Sequence, residues 1–161
     1  IAVMEDGRVV QIGTPEEIVT KPADEYVSSF FKGVDVTQVF SAGDIARKSQ
    51  LSVIDHSGND LNSVIEQVKN ADRDIAVVVD KNQKLEGMVS AESLAQAKKG
   101  DGKLASAFLS DIKPVQASEG LSDVLHKVAN SAHPVPVVDE NGKYLGSVSK
   151  TALLQTLDRA G

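Results

Sequence analysis

Apolar residues occupy 75–79 (Ile75-Ala76-Val77-Val78-Val79), polar residues follow at 80–84 (Asp80-Lys81-Asn82-Gln83-Lys84), and a second apolar run closes at Val89. Two apolar runs around a polar turn predict a β-hairpin. The pattern recurs 59 positions later: 78–94 and 137–153 agree at nine of seventeen positions, namely Val78, Val79, Asp80, Asn82, Lys84, Gly87, Val89, Ser90 and Leu94. Upstream the correspondence continues at an offset of 60, pairing Leu61, Val64, Ile65 and Val68 with Leu121, Val124, Leu125 and Val128. Those spacings describe one face of an amphipathic helix. Short strand candidates lie before them at 51–54 and 114–116, and helices are predicted after them at about 91–99 and 150–159. Each unit therefore reads strand, helix, strand, strand, helix. A unit of about 60 residues buries only about 60% of its unfolded surface, so two units sharing a core are expected. The predicted class is α+β, with two such units related by a pseudo-two-fold axis.

The first 33 residues follow another pattern. Apolar runs at 1–4 and 9–12 flank Glu5-Asp6-Gly7-Arg8, and Asp-Gly is a strong hairpin signal. A helix start follows: Thr14 as cap, Pro15 at the first helical position and Glu17 three residues after the cap complete a capping box. Pro22 restarts the chain, and 24–31 is predicted to form a second short helix with Tyr26, Val27, Phe30 and Phe31 on one side. Tyr26, Phe30 and Phe31 are expected to pack on the repeated units or on a symmetry partner. Between the two parts, 42–48 carries a weak helical pattern.

Composition narrows the function. With 41% hydrophobic and 25% charged residues the 161-residue chain is globular, and no apolar run approaches the roughly 18 residues of a membrane span. The first residues lack a secretory pattern and there is no cysteine, so a cytoplasmic setting is expected. A net charge of −6 argues against a nucleic-acid polymer as partner. Lys98, Lys99 and Lys103 form one local basic cluster, read either as a solvated helix end or as an ionic contact patch. His56, His126 and His133 lack metal-ligand spacing, so no metal is expected. No serine sits in a nucleophile turn and no G-x-x-x-x-G-K-[ST] loop occurs, so neither an independent enzyme nor ATP hydrolysis is expected of this stretch.

The second unit, PVQASEGLSDVLHKVANSAHPVPVVDENGKYLGSVSKTALL, resembles a cystathionine-β-synthase-type (CBS) domain in its Pro-Val-Val-Asp strand, Asn-Gly turn and Gly-x-x-Ser strand end. The first unit matches more loosely, with Gln83 at the turn glycine and Ala76-Val77 in place of the proline-rich start. The segment IAVMEDGRVVQIGTPEEI is similar to the end of an ABC-transporter ATPase domain, and EYVSSFFKGVDVTQVFSAGDIARK resembles the proteobacterial proline/betaine type. The implied division is an ATPase tail at 1–33, a first CBS unit at 34–100 and a second at 101–161. The implied whole is the C-terminal tandem CBS region of the ATP-binding subunit of a glycine betaine/L-proline importer. Its implied partners are the parent ATPase domain, the transporter's membrane subunit and a second copy, at the inner face of the cell membrane.

The resemblance also implies a ligand cleft at Val53, Ala76, Val77, Ser90 and Ser93 in the first unit and Val115, Val135, Pro136, Ser149, Lys150 and Ala152 in the second. Nucleotide-binding CBS units carry Gly-x-x-[Ser/Thr]-x-x-Asp, which sets a hydroxyl at a helix N-terminus for phosphate and a carboxylate for the ribose hydroxyls. Here Gly87/Ser90 and Gly146/Ser149 are kept, while Ser93 and Ala152 replace the carboxylate. Its loss is expected to weaken ribose binding by about tenfold to 150-fold. Ser90 and Ser149 also read as plain helix caps. No cofactor is expected in this stretch, ATP and Mg belonging to the parent ATPase domain. Three roles stay open: regulation by ionic strength, through contact of the lysines with an anionic membrane or an acidic surface; sensing of an adenine nucleotide or cyclic dinucleotide; and dimerisation without a ligand.

Overall fold

The computed structural model describes residues 1–33, 35–48, 52–55 and 60–160. Strands β1 (Ala2–Glu5) and β2 (Arg8–Ile12) form an antiparallel hairpin across Asp6 and Gly7, whose φ values of 46° and 77° match a primed turn. Helix α1 (Pro15–Thr20) begins with the predicted capping box: Glu17 N–H donates to Thr14 Oγ1 (3.2 Å) and Thr14 N–H donates to Glu17 Oε2 (2.8 Å). The Thr14 backbone hydrogen bond is the main reason the Glu17 carboxyl sits below its ordinary value. Asp24 caps α2 (Glu25–Phe30) through Val27 N–H. Val3, Ile18 and Val27 form a small core here, with Val10, Tyr26 and Phe31 packed against it.

Within one chain, Tyr26 and Phe31 pack on the tail's own core, and a symmetry partner stays the alternative for Phe30. Tyr26 donates its hydroxyl to Met4 O (3.2 Å) and Phe31 lies on the tail's own core, while Phe30 is 62% exposed and meets Phe31 edge-on. Val27 is the buried residue of α2, and Phe30 stands at the helix's last position. The tail instead docks through α1, which packs on α3 (Ala42–Ile45) and α7 (Lys150–Ala160). Helix α3 is also shorter than the 42–48 pattern predicts. Ala46 turns extended (φ −63°, ψ 139°), which lets Arg47 pair with a strand of the second unit.

The two units repeat one topology. Strands β3 (Ser52–Asp55), β4 (Ile75–Val79) and β5 (Leu85–Ser90) form one sheet in that order, flanked by α4 (Leu61–Asn70) and α5 (Ala91–Lys99). Strands β6 (Val115–Gln116), β7 (Val135–Val138) and β8 (Tyr144–Val148) form the other, flanked by α6 (Leu121–Ala129) and α7. In each sheet the first pair is parallel and the second antiparallel. Register repeats at the sequence offset: Ala76 faces Val89 as Val135 faces Val148, and irregularities fall at Val78/Val79 and at Val137/Val138.

The hairpin turns join the units. Asp80 Oδ1 accepts the N–H groups of Asn82 and Lys84, and Asp139 Oδ1 those of Asn141 and Lys143. Leu85 N–H then donates to Gly142 O (3.0 Å), and Tyr144 N–H to Gln83 O (2.9 Å), so each turn pairs with the other. Beyond them Val77, Val79, Met88 and Tyr144 make a shared core.

Each unit is completed by the segment leading into the other. Phe40, Ala42 and Ile45 precede the first unit's sheet but lie in the core of the second, with Val115, Leu121, Val124 and Val137. Leu121 N–H donates to Phe40 O, Ala42 N–H to Glu119 O and Gly43 N–H to Ala117 O, while Arg47 exchanges two backbone hydrogen bonds with Ser147. Reciprocally, Ala107 is buried in the first unit's core, with Leu104 and Phe108 against it, and Leu109 N–H donates to Met88 O. Both β5 and β8, open edges by topology, are thus covered by crossing segments, which removes a site of unwanted strand pairing.

Two backbone positions of positive φ give opposed predictions. Gly146 has φ 148°, and a Cβ there would stand 2.8 Å from Arg47 N. Gly146→Ala is expected to cost about 3 kcal/mol from strain and overlap with backbone. Gln83 holds φ 64° where Gly142 holds 82°, so Gln83→Gly is expected to stabilise by about 0.5–1 kcal/mol. Urea unfolding midpoints of the two variants check both signs.

Candidate functional site

The expected polar site residues lie at helix starts. At the start of α5, Ser93 N–H donates to Ser90 Oγ (3.0 Å), Ser90 N–H donates to Ser93 Oγ (2.9 Å), and the Ser93 hydroxyl also donates to Ser90 O (3.1 Å). At the start of α7, Ala152 N–H donates to Ser149 Oγ (3.0 Å), with Lys150 exposed beside it. Both serines thus cap their helices, the second without a reciprocal partner.

The expected cleft residues divide by strand face. Ala76 lies in the first unit's core and Val115 and Val135 in the second's, while Val77 faces the shared core. Pro136, at the position equivalent to Val77, lines a chamber of about 180 Å³ between the units, with Leu85, Met88, Phe108, Leu109 and Ile112. The Phe108 ring covers Gly87 so closely that a Cβ there would lie 2.6 Å from it. Val53 lies on β3, but its side chain is outside the described positions, as is all of His56. The structure brings Val77 and Pro136 to one inter-unit region; Ser90 and Ser93 cap a different helix from the one carrying Ser149, Lys150 and Ala152.

Ile112 and Pro114 also line an outer groove of about 360 Å³, where Asp111, Lys113, Lys127, Asn130 and Ser131 add polar groups and Val135 an apolar wall. Chamber and groove therefore adjoin through two shared residues. Lys127 Nζ is partly engaged, 2.7 Å from Glu119 Oε2. On the first unit, Lys69, Asp72, Arg73, Asp74 and Ile75 surround a more open depression of about 590 Å³ that reaches Ala91 at the start of α5. The cleft residues expected from the sequence pattern omit all of these groove residues except Val135. The usable signals were Lys113-Pro114 directly before a strand and Arg73-Asp74 directly before the β4 run.

Lys98 and Lys99 occupy the last turn of α5, where cations complement the helix dipole, and both are exposed. Lys98 and Lys69 share a shallow surface with Glu66. Exposed Lys103 donates its backbone N–H to Asp101 Oδ1 (2.9 Å); the Ser106 hydroxyl on Asp101 Oδ2 is the largest influence holding that carboxyl below its ordinary value. Among the described residues no cluster of three His, Cys, Asp or Glu side chains is placed to hold a metal ion. Also among them, no helix is long and apolar enough to cross a membrane. One polar pair is buried between the units: Tyr144 Oη and Ser147 Oγ are 2.8 Å apart. Burial raises the Tyr144 phenol above its ordinary value, and the Ser147 hydrogen bond opposes the shift.

The CBS domain family model matches residues 106–159. The second unit thus carries a CBS domain. The first unit, more divergent in sequence, has the same topology and register, which makes the chain a CBS pair. Solved structures share the pair fold: Staphylococcus aureus OpuCA aligns with a TM-score of 0.60 at 23% identity, covering 71% of this chain and 97% of that one. Listeria monocytogenes CbpB, solved in complex with c-di-AMP, aligns with a TM-score of 0.60 at 19% identity, covering 73% and 95%. In sequence this CBS chain is 43% identical, over its full length, to the glycine betaine/proline betaine transport system ATP-binding protein ProV of Salmonella typhimurium, of which it covers 40%. It is 32% identical to the glycine betaine transport ATP-binding protein OpuAA of Bacillus subtilis, over 98% of the chain and 37% of that protein. The chain thus spans about two fifths of the length of these relatives, and corresponds to the CBS-pair region of glycine betaine ABC importer ATP-binding subunits.

The cap at Ser149 yields a measurable cost. Ser149→Ala is expected to lose about 1 kcal/mol, lowering the thermal midpoint by about 2–4 °C. Differential scanning fluorimetry without ligand checks it; an unchanged midpoint would show that the cap adds no stability.

Proposed function

We propose that this CBS pair regulates the ATP-binding subunit of an osmoprotectant importer, for glycine betaine or L-proline, at the cytoplasmic face of the cell membrane. It performs no chemistry itself. The observation that carries the reading is the docking of the tail's α1 onto α3 and α7, in a chain related over its full length to betaine-importer ATP-binding proteins. A tail resembling the end of an ATPase domain, packed on the second CBS unit, gives the pair a route to the ATPase body. The membrane subunit and a second copy of the subunit complete the proposed assembly.

Ionic strength is the proposed signal. The Debye length falls from about 10 Å at 0.1 M salt to about 3 Å at 1 M, so contacts between exposed charges release as salt rises. Lys98, Lys99 and Lys103 are exposed in a chain of net charge −6, and an anionic membrane surface is their proposed counterpart. Replacing all three by Gln in the full importer, reconstituted in vesicles with anionic lipid, is expected to flatten the salt activation of betaine uptake. An unchanged salt profile would reject the lysine contact.

The adjoining chamber and groove favour a second reading, in which an adenine nucleotide or cyclic dinucleotide enters at Ile112 and Pro114 with its base between the units and its phosphates toward Lys113 and Lys127. CBS pairs of this fold include one solved with c-di-AMP and one with AMP. Thermal shift with AMP, ATP and c-di-AMP tests it. Ligand at 100 times Kd would stabilise by about 2.7 kcal/mol, and no shift at millimolar ligand would exclude this reading.

A further inference from the structure

An apolar and an ionic contact are among those that join the tail to the CBS pair. Val19 of α1 packs against the second unit's core. One residue before the tail's buried Ile18 stands Glu17, occupied by its own helix cap, and one residue earlier Glu16 pairs with the Arg47 guanidinium. Arg47 is held from several sides: its N–H and C=O are hydrogen-bonded to Ser147, and its Nη1 donates to Asp44 O (3.1 Å) and Ala46 O (3.0 Å). The guanidinium is thus fixed to the second unit, while its partner carboxylate belongs to the tail. Yet the pair is open to water, with side-chain exposures of 45% for Arg47 and 26% for Glu16.

We propose that the Glu16–Arg47 ion pair is a salt-released latch that biases whether α1 is docked on the second CBS unit. A fixed cation facing a carboxylate on a six-residue helix loses attraction as salt screens it, whereas the Val19 contact does not. Exposed pairs contribute little, so the latch shifts a docking equilibrium about twofold to fivefold and does not switch it outright. The latch is a property of this chain alone and does not depend on the importer assignment or on the lysine patch.

Amide hydrogen exchange in α1, read at Ile18 and Lys21 in the full chain, tests the latch as sodium chloride rises from about 0.1 M to about 1 M. The wild type is expected to lose about twofold to fivefold protection in α1. Glu16→Gln removes the pair but spares the Arg47 contacts to α3, and is expected to start at the lower protection with no salt response. Glu16→Arg combined with Arg47→Glu is expected to restore a salt-dependent protection. Flat wild-type protection across the salt range, or a Glu16→Gln response equal to the wild type's, would overturn the latch.

Discussion

The rest of the structure depends on two backbone hydrogen bonds that run between the hairpin turns, Leu85 N–H to Gly142 O and Tyr144 N–H to Gln83 O. They lie at equivalent positions of the two repeats, so they place the pseudo-two-fold axis between Lys84 and Lys143, where the isolated bridge forms. Both turns need a residue of positive φ at the carbonyl that accepts. Once the turns are paired, the inner faces of β4 and β5 must meet Tyr144 and Pro136, and a chamber is left at Gly87, where Phe108 crosses. The two-unit form thus follows from the repeat, and the cleft follows from the two-unit form.

A second constraint is the exchange of leading segments. The edge strands β5 and β8 are each met by chain that belongs, in sequence, to the other unit. Neither repeat is therefore self-sufficient, consistent with the marginal burial expected of a unit of about 60 residues. The exchange also fixes the direction of coupling: the tail adjoins the first unit in sequence but the second in space. A change at 1–33 is felt first at α3, α7 and β8.

Much of this was legible in the sequence, for identifiable reasons. The hairpins, the amphipathic helices and the capping box at Thr14 are local patterns with local causes, and all formed where the spacing placed them. Even Gln83, a poor residue for its turn, follows the register of its glycine-bearing counterpart, because the partner turn demands it. What stayed hidden was long-range choice. Phe40, Ala42 and Ile45 are apolar whichever core they enter, and no pattern marks them for the second unit. The end of α3 is set by Arg47 pairing with Ser147, a tertiary contact that overrides helical propensity. Tyr26 and Phe31 join the tail's own core, a choice among apolar surfaces that only packing makes. The groove residues Asp111, Lys113 and Lys127 come from a loop and a helix end whose proximity depends on the fold.

The central claim is that the segment before the first unit's sheet completes the second unit. Methyl NOE spectroscopy on the chain, with labelled Ile, Leu and Val, measures this directly through Ile45. The account predicts cross-peaks from the Ile45 methyls into the cluster that holds Leu121, Val124 and Val137. Cross-peaks instead to Val64, Val68 and Val78, the core of the neighbouring unit in sequence, would contradict it.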